Sequence, residues 1–327
     1  MTVSLYILIA LAVIFDFLNG VHDSSNIVAT IISSRSMSPR LALTMTALAE
    51  FIGPFLFGVA VAKTIGAGLV SPQVVTMPVI LAALTGAIVW NILTWALGIP
   101  SSSSHALIGG ILGAVVMGVG WSHVIPSGLI TVLFALFVSP FLGLIVGFLF
   151  TKLVYFFARN ASLRINWFFK NIQVITGMGL ALSHGANDAQ KTMGIITLGL
   201  VSAGVIPTFE VPLWVIALSA GAIAIGTSTG GWRLIRTLGG KFYKIRPVNG
   251  FCTQVGAASV VLGAALLGGP VSTTQVVSST IAGVGAAERM SKVRWGVLGN
   301  IAVAWLLTIP ATGMVAALAY LLLDLAF

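Results

Sequence analysis

Two short stretches place chemistry where an apolar sequence should have none. Asn19-Gly20-Val21-His22-Asp23-Ser24-Ser25-Asn26 and Ser183-His184-Gly185-Ala186-Asn187-Asp188-Ala189-Gln190-Lys191 put carboxylates, amides, imidazoles and an ammonium into runs of membrane-spanning length. An Asp or Lys at the centre of a membrane helix costs about 2.5 to 3.5 kcal/mol on insertion scales, so such clusters mark functional sites by default. The stretches are related, because Gly20 and Asp23 recur 165 positions later as Gly185 and Asp188. Asp23 and Asp188 need partners for their charge. A bound cation supplies one, with Asn26 and Asn187 as further oxygen ligands, so these four residues form the expected metal or alkali-cation set. A carboxylate also accepts a hydrogen bond from a protonated phosphate oxygen, and sulfate at neutral pH has no such proton to give.

A second pair of matches carries hydroxyls. Gly98-Ile99-Pro100-Ser101-Ser102-Ser103-Ser104-His105 and Gly268-Gly269-Pro270-Val271-Ser272-Thr273-Thr274-Gln275 stand 170 positions apart. Pro followed by hydroxyl residues at the head of a helix brings a preset first turn, side-chain caps and unpaired backbone N–H groups, which are the parts of an anion site. Two such ends, at Ser101 to Ser104 and at Ser272 to Thr274, related by an in-plane pseudo-twofold axis, could face each other across one small tetraoxyanion. The plainer alternative has the hydroxyls bonding helix carbonyls and neighbouring helices. His22 and His105 are candidate proton carriers, since imidazole titrates near neutral pH, and each can equally serve as a neutral hydrogen-bonding group, as can His184. Glu50 is a candidate cation or proton site in mid-span. Lys191 can pair with Asp188, meet the anion or reach for the interface. Asp16, two turns before Asp23, has no counterpart at Ala181 and is a secondary candidate.

The elements that hold these residues are legible in the composition. At 327 residues, 58% hydrophobic and 7% charged, the chain has too little polar surface for a soluble domain and reads as an integral membrane protein. Its net charge of +9 does not point to nucleic acid. Fourteen of the sixteen Lys and Arg fall in four clusters: Arg35 and Arg40; Lys152, Arg159, Arg164 and Lys170; Arg233, Arg236, Lys241, Lys244 and Arg246; Arg289, Lys292 and Arg294. These read as cytoplasmic loops. Cys252 alone permits no internal disulfide, and the first apolar run, without a basic leader and with Asp16 near its end, reads as mature sequence. No P-loop or zinc-site spacing is present.

Apolar spans are expected at 3–34, with a break at Asn19-Gly20, then 39–63, 78–98, 104–120 and 126–150, followed by a basic linker at 152–170. The second series runs 172–206, 213–230, 250–268, 271–287 and 295–323. The change of offset from 165 to 170 is placed in the basic loop at 233–246. The fold class is therefore an all-α polytopic membrane protein of about 10–12 membrane segments. It comprises two repeats, 1–160 and 161–327, with broken helices or re-entrant hairpins. An odd number of crossings per copy inverts the second repeat and puts both termini outside and every basic cluster inside. That is the signature of a secondary transporter. A channel lacks support without a continuous polar stripe, and an intramembrane hydrolase built on Ser101 to Ser104 is disfavoured because Ser104 and His105 point to different helix faces.

At these motifs the sequence resembles the inorganic phosphate transporter (PiT) family, with its duplicated Gly-Ala-Asn-Asp and Pro-Val-Ser-Thr-Thr-His signatures, and in particular the bacterial low-affinity Pit type. The resemblance spans both halves. It departs at His22, which precedes Asp23 in the first signature, and at Gln275, where His is usual. It implies phosphate contact by Ser102, Ser103, Ser104, Ser272, Thr273 and Thr274, and cation or substrate coordination by Asp23, Asn26, Asn187 and Asp188. Glu50 matches a position linked to cation coupling. It further implies a non-enzymatic symporter without cofactor, importing phosphate or a metal-phosphate complex with H+ or Na+, dimeric in the inner or plasma membrane. Sulfate is the alternative substrate. His22 replaces an amide oxygen that would ligate Na+ with a titrating imidazole, which favours the proton.

Overall fold

Backbone in lipid must satisfy its own hydrogen bonds, and a helix does so without a partner segment. The computed structural model describes residues 3–99, 101–162, 164–240 and 245–325, with backbone alone for 237–240; Pro100, Lys241 and Lys244 lie outside the described residues. Among them no strand occurs. The helices are α1 (Val3–Ser33), α2 (Pro39–Phe57), α3 (Ala60–Lys63), α4 (Met77–Leu97), α5 (Ser103–Gly118), α6 (Pro126–Ala158), α7 (Ile165–Ser202), α8 (Leu213–Thr229), α9 (Trp232–Gly240), α10 (Pro247–Leu266), α11 (Thr273–Glu288) and α12 (Trp295–Asp324). Six of these, α1, α2, α4, α6, α10 and α12, are each long and apolar enough to cross a membrane.

The break expected at Asn19-Gly20 is absent. α1 passes through it as unbroken helix, and α7 runs for 38 residues through the second polar stretch. The glycines there serve close packing instead of unwinding: a Cβ on Gly20 would strike the carbonyl of Ile223 in α8, and one on Gly185 would strike the carbonyl of Glu50 in α2. Keeping the helix intact satisfies every backbone group and still lets side chains form the site. The chain unwinds at the hydroxyl motifs. α4 ends at Gly98 and α10 just before Gly268, with φ of +68° and +74° that only glycine adopts without strain.

The expected span 39–63 also divides, with α2 ending at Phe57 and α3 following as a separate short helix that continues into a π-helical turn at Thr64–Gly68. The start of α3 is capped from another element. Gln190 Oε1 accepts from Val61 N–H at 2.8 Å and Ala62 N–H at 3.3 Å, which gives this buried amide a structural use.

The helices occur in two series with matching neighbours. α1 packs on α8 and α4, as α7 packs on α2 and α10; α5 packs on α12, as α11 packs on α6. The glycine contacts are reciprocal too: Gly53 meets Leu182 as Gly226 meets Phe17. These pairs relocate the change of offset. Pro39 and Pro212, at the heads of α2 and α8, are 173 apart, so the extra residues sit between α7 and α8, in 203–212, and not in the basic loop at 233–246. On the outside, Phe134, Phe141, Leu318 and Leu322 of α6 and α12 are exposed, as helices facing lipid must be.

Candidate substrate and cation site

The site begins with two helix N-termini. Ser102 caps α5, its Oγ accepting from His105 N–H at 3.1 Å, and Ser272 caps α11, accepting from Gln275 N–H at 3.4 Å. The oxygens of these two hydroxyls accept from their own helices. The next two residues of each helix turn to the centre, because a helical first turn directs them away from the cap. The two starts touch: Ser104 Oγ donates to the Val271 carbonyl at 3.1 Å, and His105 Nε2 and Gln275 Nε2 lie 3.3 Å apart.

Facing them are the carboxylates of α1 and α7. Asp23 accepts from Thr274 Oγ1 at 2.8 Å and Ser103 Oγ at 3.3 Å, and His22 Nδ1 lies 3.2 Å away. Asp188 accepts from Thr273 Oγ1 at 2.8 Å and is ion-paired with Lys191. Lys191 Nζ also donates to Ser104 Oγ at 2.5 Å and to the Val271 carbonyl at 3.1 Å. Asp23, Asp188, Glu50 and Lys191 are each at most 1% exposed, so water cannot solvate them and each charge needs a partner in the protein or an ion.

The asparagines are oriented by their partners. Asn187 Nδ2 donates to the Val271 carbonyl at 2.9 Å, and Asn26 Nδ2 donates at 3.0 Å to Thr274, whose own proton goes to Asp23. Their Oδ1 atoms are buried without a hydrogen-bond partner among the described residues. Asn26 and Asp23 share the Thr274 hydroxyl, and Asn187 Nδ2 lies 3.4 Å from Asp188 Oδ1. Among the His, Cys, Asp and Glu side chains described, ligand atoms of Asp23, His184 and Asp188 come within 4.8 Å of one another.

His184 is the residue that sequence reasoning undervalued. Its Nδ1 lies 2.7 Å from Glu50 Oε1 and its Nε2 lies 2.8 Å from Asp188 Oδ2 and 3.9 Å from Asp23 Oδ2, so one imidazole stands between three carboxylates. The signal was its position four residues before Asp188, on the same helix face. Glu50 therefore joins the site through His184. Asp16 is bound by the residue next to Lys191: Thr192 Oγ1 donates to it at 2.6 Å. Ser101 is structural, accepting from Trp90 Nε1 at 2.8 Å beside Thr308. His105 packs edge-on against Phe137.

Two converging helix starts rich in N–H and hydroxyl donors, opposite paired carboxylates with a buried ammonium, can hold a small anion and a cation together. Comparisons with known proteins agree in kind. The profile of the phosphate transporter family matches residues 19–316. A "probable low-affinity inorganic phosphate transporter" of Rhizobium meliloti is 47% identical over 97% of this chain and 96% of its own length. One of the same name from Bacillus subtilis is 41% identical over 98% and 97%. A solved structure titled "The sodium-dependent phosphate transporter" superposes with a TM-score of 0.90 at 27% identity, covering all of both chains.

Proposed function

Because this chain belongs to the phosphate transporter family, a membrane-embedded family of transporters and not of enzymes, we propose that it imports inorganic phosphate with a cation by alternating access across the inner or plasma membrane. The observation that carries this reading is the convergence of Ser103, Ser104, Thr273 and Thr274 on Asp23, Asp188 and Lys191. These hydroxyls now hold the carboxylates and the ammonium. A phosphate entering between the helix starts takes them over as donors, together with first-turn N–H groups that Ser102 and Ser272 leave free. Asp23 and Asp188 then accept from a protonated phosphate oxygen or are screened from it by a cation. The sulfate alternative finds no support in these relatives, which are named for phosphate.

The two helix series act in this reading as inverted repeats, residues 1–160 and 161–327. The α4–α5 and α10–α11 pairs are hairpins entering from opposite faces to meet at their tips. Sixteen residues of α5 or α11 span about 24 Å, short of the roughly 30 Å hydrocarbon core, which suits a segment that starts inside the protein. The mobile cation is assigned as H+ because His22 adjoins Asp23 and His184 adjoins Asp188. A metal-phosphate complex is accommodated by the same ligands, Asp23, His184 and Asp188.

The test is uptake of labelled phosphate into proteoliposomes with Na+ and pH gradients imposed separately. Accumulation under an inward proton gradient without Na+ is expected. Strict dependence on Na+ overturns the proton assignment, and no uptake under either gradient overturns the transport reading.

A further inference from the structure

The pseudo-symmetry of the site is broken at several positions, among them His22 against Asn187 and Asn19 against His184, and at one of them the break is a fixed positive charge. Asn26 and Lys191 are equivalent, 165 apart, as are Thr274 and Ser104, 170 apart in the reverse sense. The structure pairs them equivalently: Asn26 Nδ2 donates to Thr274 Oγ1 at 3.0 Å, and Lys191 Nζ donates to Ser104 Oγ at 2.5 Å. One half of the site thus carries a neutral amide where the other carries an ammonium. We propose that Lys191 is a built-in cation, occupying in the Asp188 half the place that the Asp23 half offers to a mobile one, so that the Asp188 half takes up no mobile cation of its own. This rests on the phosphate-symport reading above.

The ligation is that of a small hard cation. Lys191 Nζ meets a carboxylate of Asp188, the hydroxyl of Ser104 and the carbonyl of Val271, one oxygen for each of its three N–H groups. Among the described residues it is the only buried Lys or Arg. The Asp23 half keeps what a free cation would need: a carboxylate, the Thr274 hydroxyl and the unpartnered, buried Oδ1 of Asn26.

Electrostatics explains why some cation is obligatory. An anion brought beside two buried carboxylates meets strong like-charge repulsion, which only positive charge in the same enclosure offsets. A tethered ammonium offsets one carboxylate without a gradient. It also returns with the carrier, so it aids binding and contributes nothing to the driving force. The remaining mobile cation alone couples transport to a gradient.

The experiment compares the wild type with Lys191→Asn, Lys191→Gln and Lys191→Met in proteoliposomes, measuring phosphate uptake while Na+ replaces choline at constant pH and ionic strength. Wild type is expected to transport without a requirement for Na+ in the Asp188 half. Lys191→Asn, and Lys191→Gln should the first fail to insert, are expected to lose at least tenfold without Na+ and to regain uptake as Na+ rises. Lys191→Met, which has no oxygen to offer, stays low throughout. Transport currents on a supported membrane should show one more charge moved per phosphate in the rescued variant. An inserted Asn or Gln variant that transports equally without Na+, or whose loss no Na+ rescues, overturns the proposal while leaving phosphate transport intact. A wild type that moves no phosphate overturns the symport reading itself.

Discussion

Single side chains decide the chemistry of this site because Asp23 on α1 and Asp188 on α7 each hold a separate set of partners. Asp23 holds Thr274 and Ser103, and Asp188 holds Thr273, His184 and Lys191. Asp23→Asn and Asp188→Asn each keep the shape but remove the charge that binds a cation or accepts a phosphate proton. Uptake should fall more than tenfold in each, equivalent to about 1.4 kcal/mol, with surface expression unchanged. Near-normal uptake would make that carboxylate structural. His184 separates Glu50 from Asp188, so its removal leaves buried like charges facing each other. His184→Ala should therefore lose over tenfold in uptake, and Glu50→Gln added to it should cost no more, since the two act as one unit. Additive losses in the double variant would separate their roles.

At the level of elements, the starts of α5 and α11 are held by one cap each. Ser102→Ala or Ser272→Ala should lower stability by about 1 kcal/mol, seen as a lower melting temperature of the purified protein, with uptake reduced less than by the carboxylate variants. A loss as large as that of Asp23→Asn would mean that the cap hydroxyl meets phosphate itself. Helix spacing supplies a sharper test. Gly20→Val drives a side chain into the backbone of α8 and should abolish the monodisperse folded peak in size exclusion, whereas Gly179→Ala enters open space and should leave it unchanged. Equal behaviour of the two would remove the packing explanation for Gly20.

For the whole molecule, the asymmetry of charge predicts orientation. With Lys152, Arg159, Arg164 and Lys170 beside it, Ser162 should be cytoplasmic, and the C-terminus should lie on the opposite side. Single cysteines at Ser162 and after Asp324, in a Cys252→Ala background, would be labelled by impermeant reagent from inside and outside respectively. Labelling of Ser162 from outside would overturn this orientation, and labelling of both positions from the same side would overturn the inverted arrangement.

Membrane class, the order of most spans, the duplicated motifs and the polar residues within them are all properties of linear composition and spacing. Apolar runs, clustered Lys and Arg, and the recurrence of Asp23 as Asp188 need no third dimension to be read. Three other features depend on contacts between segments that are far apart in the chain. Gly20 reads as a helix breaker until Ile223 of α8 is seen against it, because a glycine that frees the backbone and one that admits a neighbour look alike in sequence. His184 reads as one polar residue among several until α2 brings Glu50 to its Nδ1. The fate of Lys191 was open between snorkelling and pairing, and it is decided by the Val271 carbonyl and the Ser104 hydroxyl, which lie 80 and 87 residues away along the chain. Local sequence sets what a residue can do, and only tertiary packing decides which of its possible partners is within reach.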